Sequence, residues 1–138
     1  MIFVARRECA ILEASMTKIA IIEDDPIISQ MYRMKFESEG FDVRMADNGQ
    51  HGVDVVAEFA PDIILLDLQM PHMNGAEALA EIRGHNASKS TPVLILTNLG
   101  REEAPAELDT LDVSGYIVKA ELTPKQVVAR VKSLLETN

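Results

Sequence analysis

Glu23-Asp24, Asp67, Thr97 and Lys119 are residues that phosphoryl chemistry can use, and each closes a short apolar run of the chain. The runs are Ile19–Ile22, Ile63–Leu66, Val93–Leu96 and Tyr116–Val118. Such runs read as buried parallel strands, and in open α/β sheets ligands bind beyond the carboxyl ends of the strands. These side chains are therefore expected to converge. If the first and third strands are neighbours, the carboxylates of Glu23, Asp24 and Asp67 meet, and two carboxylates ~5 Å apart repel by about 3 kcal/mol at an effective dielectric near 20. Protonation of one member or capture of a cation relieves such a cluster. Oxygen-only donors, with water filling the remaining octahedral positions, suit Mg²⁺ better than zinc or copper. Beside a cation and a phosphodonor, Asp67 can act as a nucleophile and form an aspartyl phosphate. Lys119 would then bring positive charge to the phosphoryl oxygens, and the Thr97 hydroxyl a hydrogen bond.

The elements that must hold these groups are legible after residue 17. Strand and helix patterns alternate with short connections, which favours a parallel sheet covered on both faces. The strands are expected at Lys18–Ile22, Asp42–Ala46, Asp62–Asp67, Pro92–Thr97 and Gly115–Lys119. The second alternates polar and apolar and so belongs at an edge. A first helix is expected over Pro26–Glu39, with Pro26 at its opening turn, Gly40 at its stop and an inward stripe of Ile28, Met31, Tyr32 and Phe36. Asp25 is a candidate cap for it rather than a member of the acid cluster. A second helix, Gly49–Phe59, is expected to bury Val53, Val56, Ala57 and Ala60 and to end at Pro61. A third covers Gly75–Arg83 with Leu79 and Ile82 inward, and the last, Pro124–Leu135, starts after Thr123 as N-cap. Between them, Arg101–Leu111 reads as a helix whose start is pushed to about Pro105, because proline inside it would cost roughly 3 kcal/mol.

Composition sets the outer bounds. A chain of 138 residues, 47% hydrophobic and 25% charged, suits one globular domain and not a disordered segment. No separate output domain is expected within these 138 residues. Net charge is −9 and no basic stretch exceeds Arg6-Arg7, so there is no electrostatic footprint for nucleic acid. No apolar run approaches the ~18 residues of a membrane span, and the N-terminus is unlike a secretory signal. The single cysteine, Cys9, cannot form an internal disulfide. A cytoplasmic location and no membrane contact are expected. The three histidines, His51, His72 and His85, lack ligand spacing.

Four segments carry a family likeness: Lys18-Ile-Ala-Ile-Ile-Glu23-Asp24-Asp25; Asp62-Ile-Ile-Leu-Leu-Asp67-Leu-Gln69-Met-Pro71-His-Met-Asn-Gly75; Val93-Leu-Ile-Leu-Thr97-Asn98; and Gly115-Tyr116-Ile-Val-Lys119. Together they make the chain resemble a response-regulator receiver domain of two-component signalling, of the stand-alone kind typified by the chemotaxis regulator. The likeness covers residues 17–138 and leaves 1–16 as an N-terminal extension. It implies a flavodoxin-like receiver fold: a five-stranded parallel sheet in the order 2-1-3-4-5, flanked by five helices. It also implies that Asp67 is the phosphoacceptor, that Glu23, Asp24, Asp67 and the backbone carbonyl of Gln69 hold Mg²⁺, and that Thr97 and Tyr116 are the switch hydroxyl and switch aromatic. A histidine kinase or histidine phosphotransfer protein would be the donor, and transfer and later dephosphorylation would be self-catalysed, with no stand-alone enzyme activity. An unidentified output protein would read the face of the fourth helix, fifth strand and fifth helix, on a monomer or weak dimer.

The chain also departs from the family pattern. Ala120 stands where receivers usually carry proline after the lysine, often with a cis bond; before alanine a cis bond would cost ~3 kcal/mol, so a trans Lys119–Ala120 peptide is expected. Gly100 and Pro105 are expected to disturb the entry to the fourth helix, and Gln69 and Leu99 occupy positions that, in the family it resembles, tune how readily water reaches the acyl phosphate.

Rival readings are distinguishable from the sequence. A haloacid-dehalogenase-type phosphatase has its Asp nucleophile at the end of the first strand with a second Asp two residues on, whereas Asp67 ends the third run and is followed by Leu68-Gln69. A nucleotide or flavin module would need a phosphate cradle, and the first strand leads instead into Glu-Asp-Asp-Pro. The third alternative is a protein-binding receiver that works without phosphorylation.

Overall fold

The structure, a computed structural model, describes residues 16–98 and 106–136. Apart from Met16, the expected N-terminal extension lies outside those residues, as do Cys9, Leu99, Gly100 and Pro105. Strands β1 (Lys18–Ile22), β2 (Asp42–Ala46), β3 (Ile63–Asp67), β4 (Val93–Thr97) and β5 (Gly115–Val118) form one parallel sheet in the order β2-β1-β3-β4-β5. This is the order implied by the family likeness, with the alternating strand β2 at an edge. β3 and β4 begin one residue later than expected, and Lys119 falls just past β5. The α-helices are α1 (Pro26–Ser38), α2 (Gly49–Phe59), α3 (Gly75–Gly84) and α4 (Pro124–Glu136).

The described residues thus contain four α-helices, not five. Where the fourth was expected, Ala106–Thr110 form a 3₁₀ helix. Short 3₁₀ turns are what a chain uses to connect elements when a full helix is not built.

Local chemistry explains where the helices start and stop. Asp25 caps α1, its carboxylate accepting the Ile27 and Ile28 N–H groups at 2.8 and 3.1 Å, so it is engaged in the helix rather than the acid cluster. The same helix ends in a Schellman turn: Phe41 N–H donates to Phe36 O (3.0 Å), Gly40 N–H to Glu37 O (3.1 Å), and Gly40 takes φ +91°. The Phe36 and Phe41 rings then meet edge to face at 4.9 Å. Asn74 with Glu77, and Thr123 with Gln126, form reciprocal capping boxes at the starts of α3 and α4.

Strand alternation divides the core in two. Ala20, Ile22, Ile64, Leu66, Val93 and Ile95 face one side, under α2, α3 and the 3₁₀ residue Leu108. On the other side Ile19, Ile21, Ile63, Leu65, Leu94, Leu96 and Ile117 lie under α1 and α4. The helix stripes differ in detail from the sequence expectation. In α1, Ser29 turns inward and Met31 is 46% exposed; in α2, Val55 and Phe59 are buried while Ala57 and Ala60 are exposed. α2 packs on both the sheet and α3, so its buried face is wider than a single stripe.

Candidate functional site

The same alternation sorts the strand-end residues. Glu23 continues the side of Ile19 and Ile21, Asp67 that of Ile63 and Leu65, and Lys119 that of Ile117, so all three emerge over the α1 and α4 layer. Neighbouring strands hold them level: Ile22 pairs with Leu66, Asp67 with Leu96, and Thr97 with Val118. Backbone bonds extend the ladder past the strands, from Glu23 N–H to Ala46 O (3.0 Å), Leu68 N–H to Leu96 O (2.9 Å) and Lys119 N–H to Thr97 O (2.8 Å).

These constraints bring Glu23, Asp67 and Lys119 into contact. The Lys119 ammonium lies 2.7 Å from Glu23 Oε1 and 3.1 Å from Asp67 Oδ1. Both carboxylates are buried, at 1% exposure each. Asp24 is exposed at the rim, and one oxygen from each of Glu23, Asp24 and Asp67 lies within 4.8 Å of the others. Two backbone amides complete the inner contacts: Asp25 N–H donates to Glu23 Oε2 (3.1 Å) and Gln69 N–H to Asp67 Oδ1 (3.2 Å). Oε1 of Glu23 is buried and meets no aligned hydrogen bond, so the short contact with Lys119 is an off-axis ion pair.

The electrostatics follow from burial and crowding. Burial first, then the Glu23 charge and hydrogen bonding to Glu23 and Asp24, push the Asp67 carboxyl up to about 8, and Lys119 pulls only partly against this. For Lys119, burial opposes the charge, but the Glu23 and Asp67 carboxylates more than offset it and hold the ammonium above the ordinary lysine value.

Thr97 ends β4 and is 1% exposed. It continues the side of Ile95, and Tyr116 pairs in register with Ile95 and packs, partly buried, against the cluster containing Leu108. By strand alternation Thr97 and Tyr116 stand on the face of Ile95, and Thr97 lies at the same carboxyl edge of the sheet as the acid and lysine groups. The Lys119–Ala120 peptide is trans.

Two contributors escape a reading of the motifs. Tyr32, 2% exposed, lies in the apolar cluster beneath Glu23, Asp67 and Lys119. Burial raises its phenol pKa, and it feels the charges of Lys119, Glu23 and Asp67. Its helical spacing marked it only as core. Gly75 is the other: a Cβ built there would stand 2.5 Å from the Asp67 carbonyl oxygen and 2.8 Å from Leu68 Cα. Gly75→Ala is expected to cost about 2 kcal/mol by overpacking backbone that cannot yield. Urea unfolding measures this, and a loss below about 0.5 kcal/mol would show that the loop gives way.

A parallel 2-1-3-4-5 sheet with carboxylates and a lysine gathered at its carboxyl edge defines a flavodoxin-like α/β domain with an acidic site. Residues 19–132 match the response regulator receiver domain, and the chain belongs to that family. The family is one of phosphorylation-based two-component signalling rather than of stand-alone enzymes. The transcriptional regulatory protein SrrA of Staphylococcus aureus is 36% identical over 118 residues, 86% of this chain, and the chain spans 47% of that protein's length. Among solved structures, the Vibrio cholerae chemotaxis protein CheY4 superposes with a TM-score of 0.81 at 26% identity, covering 87% of this chain and 99% of that one. A putative response regulator from Chloroflexus aurantiacus gives 0.79 at 25% identity, over 88% and 99% of the two chains. Among the described residues no helix is long and apolar enough to cross a membrane.

Proposed function

We propose that Asp67 accepts a phosphoryl group from a phosphohistidine of a histidine kinase or histidine phosphotransfer protein, and that the modification switches a protein-binding face. The observation that carries this reading is a buried carboxylate with an ammonium 3.1 Å away and two further carboxylates beside it. In the transfer, an Asp67 carboxylate oxygen attacks phosphorus, the P–N bond breaks, and the imidazole leaves with its electron pair. Lys119 is placed to take charge developing on a phosphoryl oxygen, and Thr97 donates to another.

Mg²⁺ fits the donor set. Every candidate ligand is oxygen, Glu23 Oε1 is buried without an aligned partner, and the burial and carboxylate crowding that lift Asp67 to about 8 oppose a negative charge that a cation would stabilise. Glu23, Asp24, Asp67 and the Gln69 carbonyl would hold the ion, which supplies positive charge to the carboxylates and to the incoming phosphoryl oxygens.

The phosphoryl group adds roughly −1.5 to −2 charges. Thr97 moves toward it, and Tyr116, on the same face of the sheet, shifts into the space released. The output protein reads that change across Ala106–Thr110, β5 and α4. Incubation with Mg²⁺ and acetyl phosphate followed by intact-mass measurement tests the reading. One phosphoryl adduct is expected on the wild type and none on Asp67→Asn; a wild type without adduct would overturn it.

A further inference from the structure

We propose that residues 1–15 of this chain dock on the seam between α1 and α4, with Ile11 and Leu12 seated in the groove where the chain enters the sheet. A groove of ≈290 Å³ opens there, and its lining includes Thr17, Phe41 and Leu135. Thr17 O accepts the Asp42 N–H at 2.8 Å, which lays the entering chain beside Phe41. A segment that precedes Met16 therefore leaves the sheet at the groove itself. Further along α1, Lys35 and Ser38, in the turn before Glu39, line a second hollow of ≈360 Å³ with Met31, Met34 and Pro124. α1 packs on α4, so the two hollows follow one seam. The large apolar side chains left exposed among the described residues are Met16 (46%), Ile27 (74%), Met31 (46%) and Met34 (63%). Uncovered apolar surface of that kind is thus confined to α1 and to the residue next to Thr17.

The fifteen residues ahead of Met16 complement this track: Ile2, Phe3, Val4, Ile11 and Leu12 are large and apolar, and Arg6-Arg7 is a basic pair. The groove lies where α1 and α4 both end, at Glu39 and Glu136, and so gathers two helix C-termini and two carboxylates. Lys132 already engages Glu39 at 2.7 Å, which makes Glu136 and the last carbonyls of α4 the counterpart of the arginines. Length suffices. From Glu39 back to Met31 is about 12 Å along the helix axis, and fifteen residues reach about 22 Å even at the rise of a helix. Tethering decides between this segment and a second copy of the chain. A segment joined at Met16 is presented at an effective concentration on the order of millimolar, which a free copy does not approach in dilute solution.

Cys9, the only cysteine, lies within the segment and takes a nitroxide label without any substitution. In the full chain the label is expected to remove most of the amide intensity at Gly40, Leu135 and Met34, and Leu12→Asp is expected to restore it. Unlabelled Ile11→Asp and Leu12→Asp chains are compared in parallel, so that a label that disturbs the segment cannot decide the result. Both are expected to shift the Gly40 and Leu135 amides relative to the wild type. Amides at the groove that neither broaden with the label nor shift in the aspartate variants overturn the proposal. Broadening centred on the α2 and α3 face overturns it too. A mixture of labelled ¹⁴N chain with unlabelled ¹⁵N chain separates a chain's own segment from a neighbour's. No broadening is expected in the mixture, and loss of the groove signals there would assign the groove to a second copy and overturn the proposal.

Discussion

Asp67→Asn is expected to unfold about 10 °C above the wild type at pH 8 without added Mg²⁺, and only slightly above it at pH 5. The reason is the raised carboxyl. In the unfolded chain Asp67 ionises near pH 3.9, but in the folded protein burial and the Glu23 and Asp24 neighbours move ionisation up to about 8. A group raised in this way favours the fold while it is protonated in both states. Its contribution is then lost progressively as pH rises from the unfolded value to the folded one. The asparagine does not titrate, so it escapes that loss and the gap between variant and wild type widens from pH 5 to pH 8. Sharing of protons among the three carboxylates and partial relief by Lys119 bring the full gap to about 3 kcal/mol. Mg²⁺ is expected to narrow it by stabilising the wild-type carboxylates. Urea unfolding at both pH values, with and without Mg²⁺, gives the comparison, and a gap that stays level with pH would count against the raised carboxyl.

Arg83→Met is expected to lose about 3 kcal/mol of stability, through backbone acceptors left without their donor. The Arg83 guanidinium donates to four backbone carbonyls: Leu111 O (2.8 Å), Ser88 O (2.9 Å), Thr91 O (2.8 Å) and Asp112 O (2.8 Å). It thereby ties the end of α3 to the approach to β4 and to the approach to β5. Asp112 is held at φ +55°, a left-handed conformation in which a non-glycine residue needs support. Methionine keeps the alkyl stem but leaves four acceptors without their charged donor. Lysine recovers part of the loss, since an ammonium cannot present the planar fork. Beyond global stability, amide exchange in Ala106–Thr110 and at Gly115 is expected to accelerate in Arg83→Met. A loss under 1 kcal/mol would mean that water replaces the guanidinium at all four carbonyls.

The strands, and the meeting of Glu23, Asp24, Asp67 and Lys119 at their carboxyl ends, were readable because each rests on a local pattern: an apolar run, then a polar residue at its carboxyl end. The Asp25 cap and the Thr123 cap rest on equally local chemistry. Arg83 was not readable as a clamp, because a basic residue in the last turn of a helix is already accounted for by the helix dipole. Its carbonyl partners lie 5 to 29 residues away in sequence. The inward turn of Ser29 in place of Met31, and of Val55 and Phe59 in place of Ala57 and Ala60, depended on what each helix packs against, which periodicity alone does not contain. Tyr32 belongs to the same class. Nothing in its spacing distinguishes a phenol under the charged cluster from any other core ring. The 3₁₀ helix at Ala106–Thr110 was anticipated as a disturbed start, from Pro105, but not as a different helix type.

The sheet separates two sets of residues that a shared pocket would have entangled. Glu23, Asp67 and Lys119 stand over the α1 and α4 layer, while Tyr116 and Leu108 belong to the opposite one. The two sets meet where the Lys119 N–H donates to Thr97 O at 2.8 Å, and through the strand ladder beneath that bond. Because Lys119 and Thr97 share that bond, a displacement of either strand end is felt on both faces of the sheet.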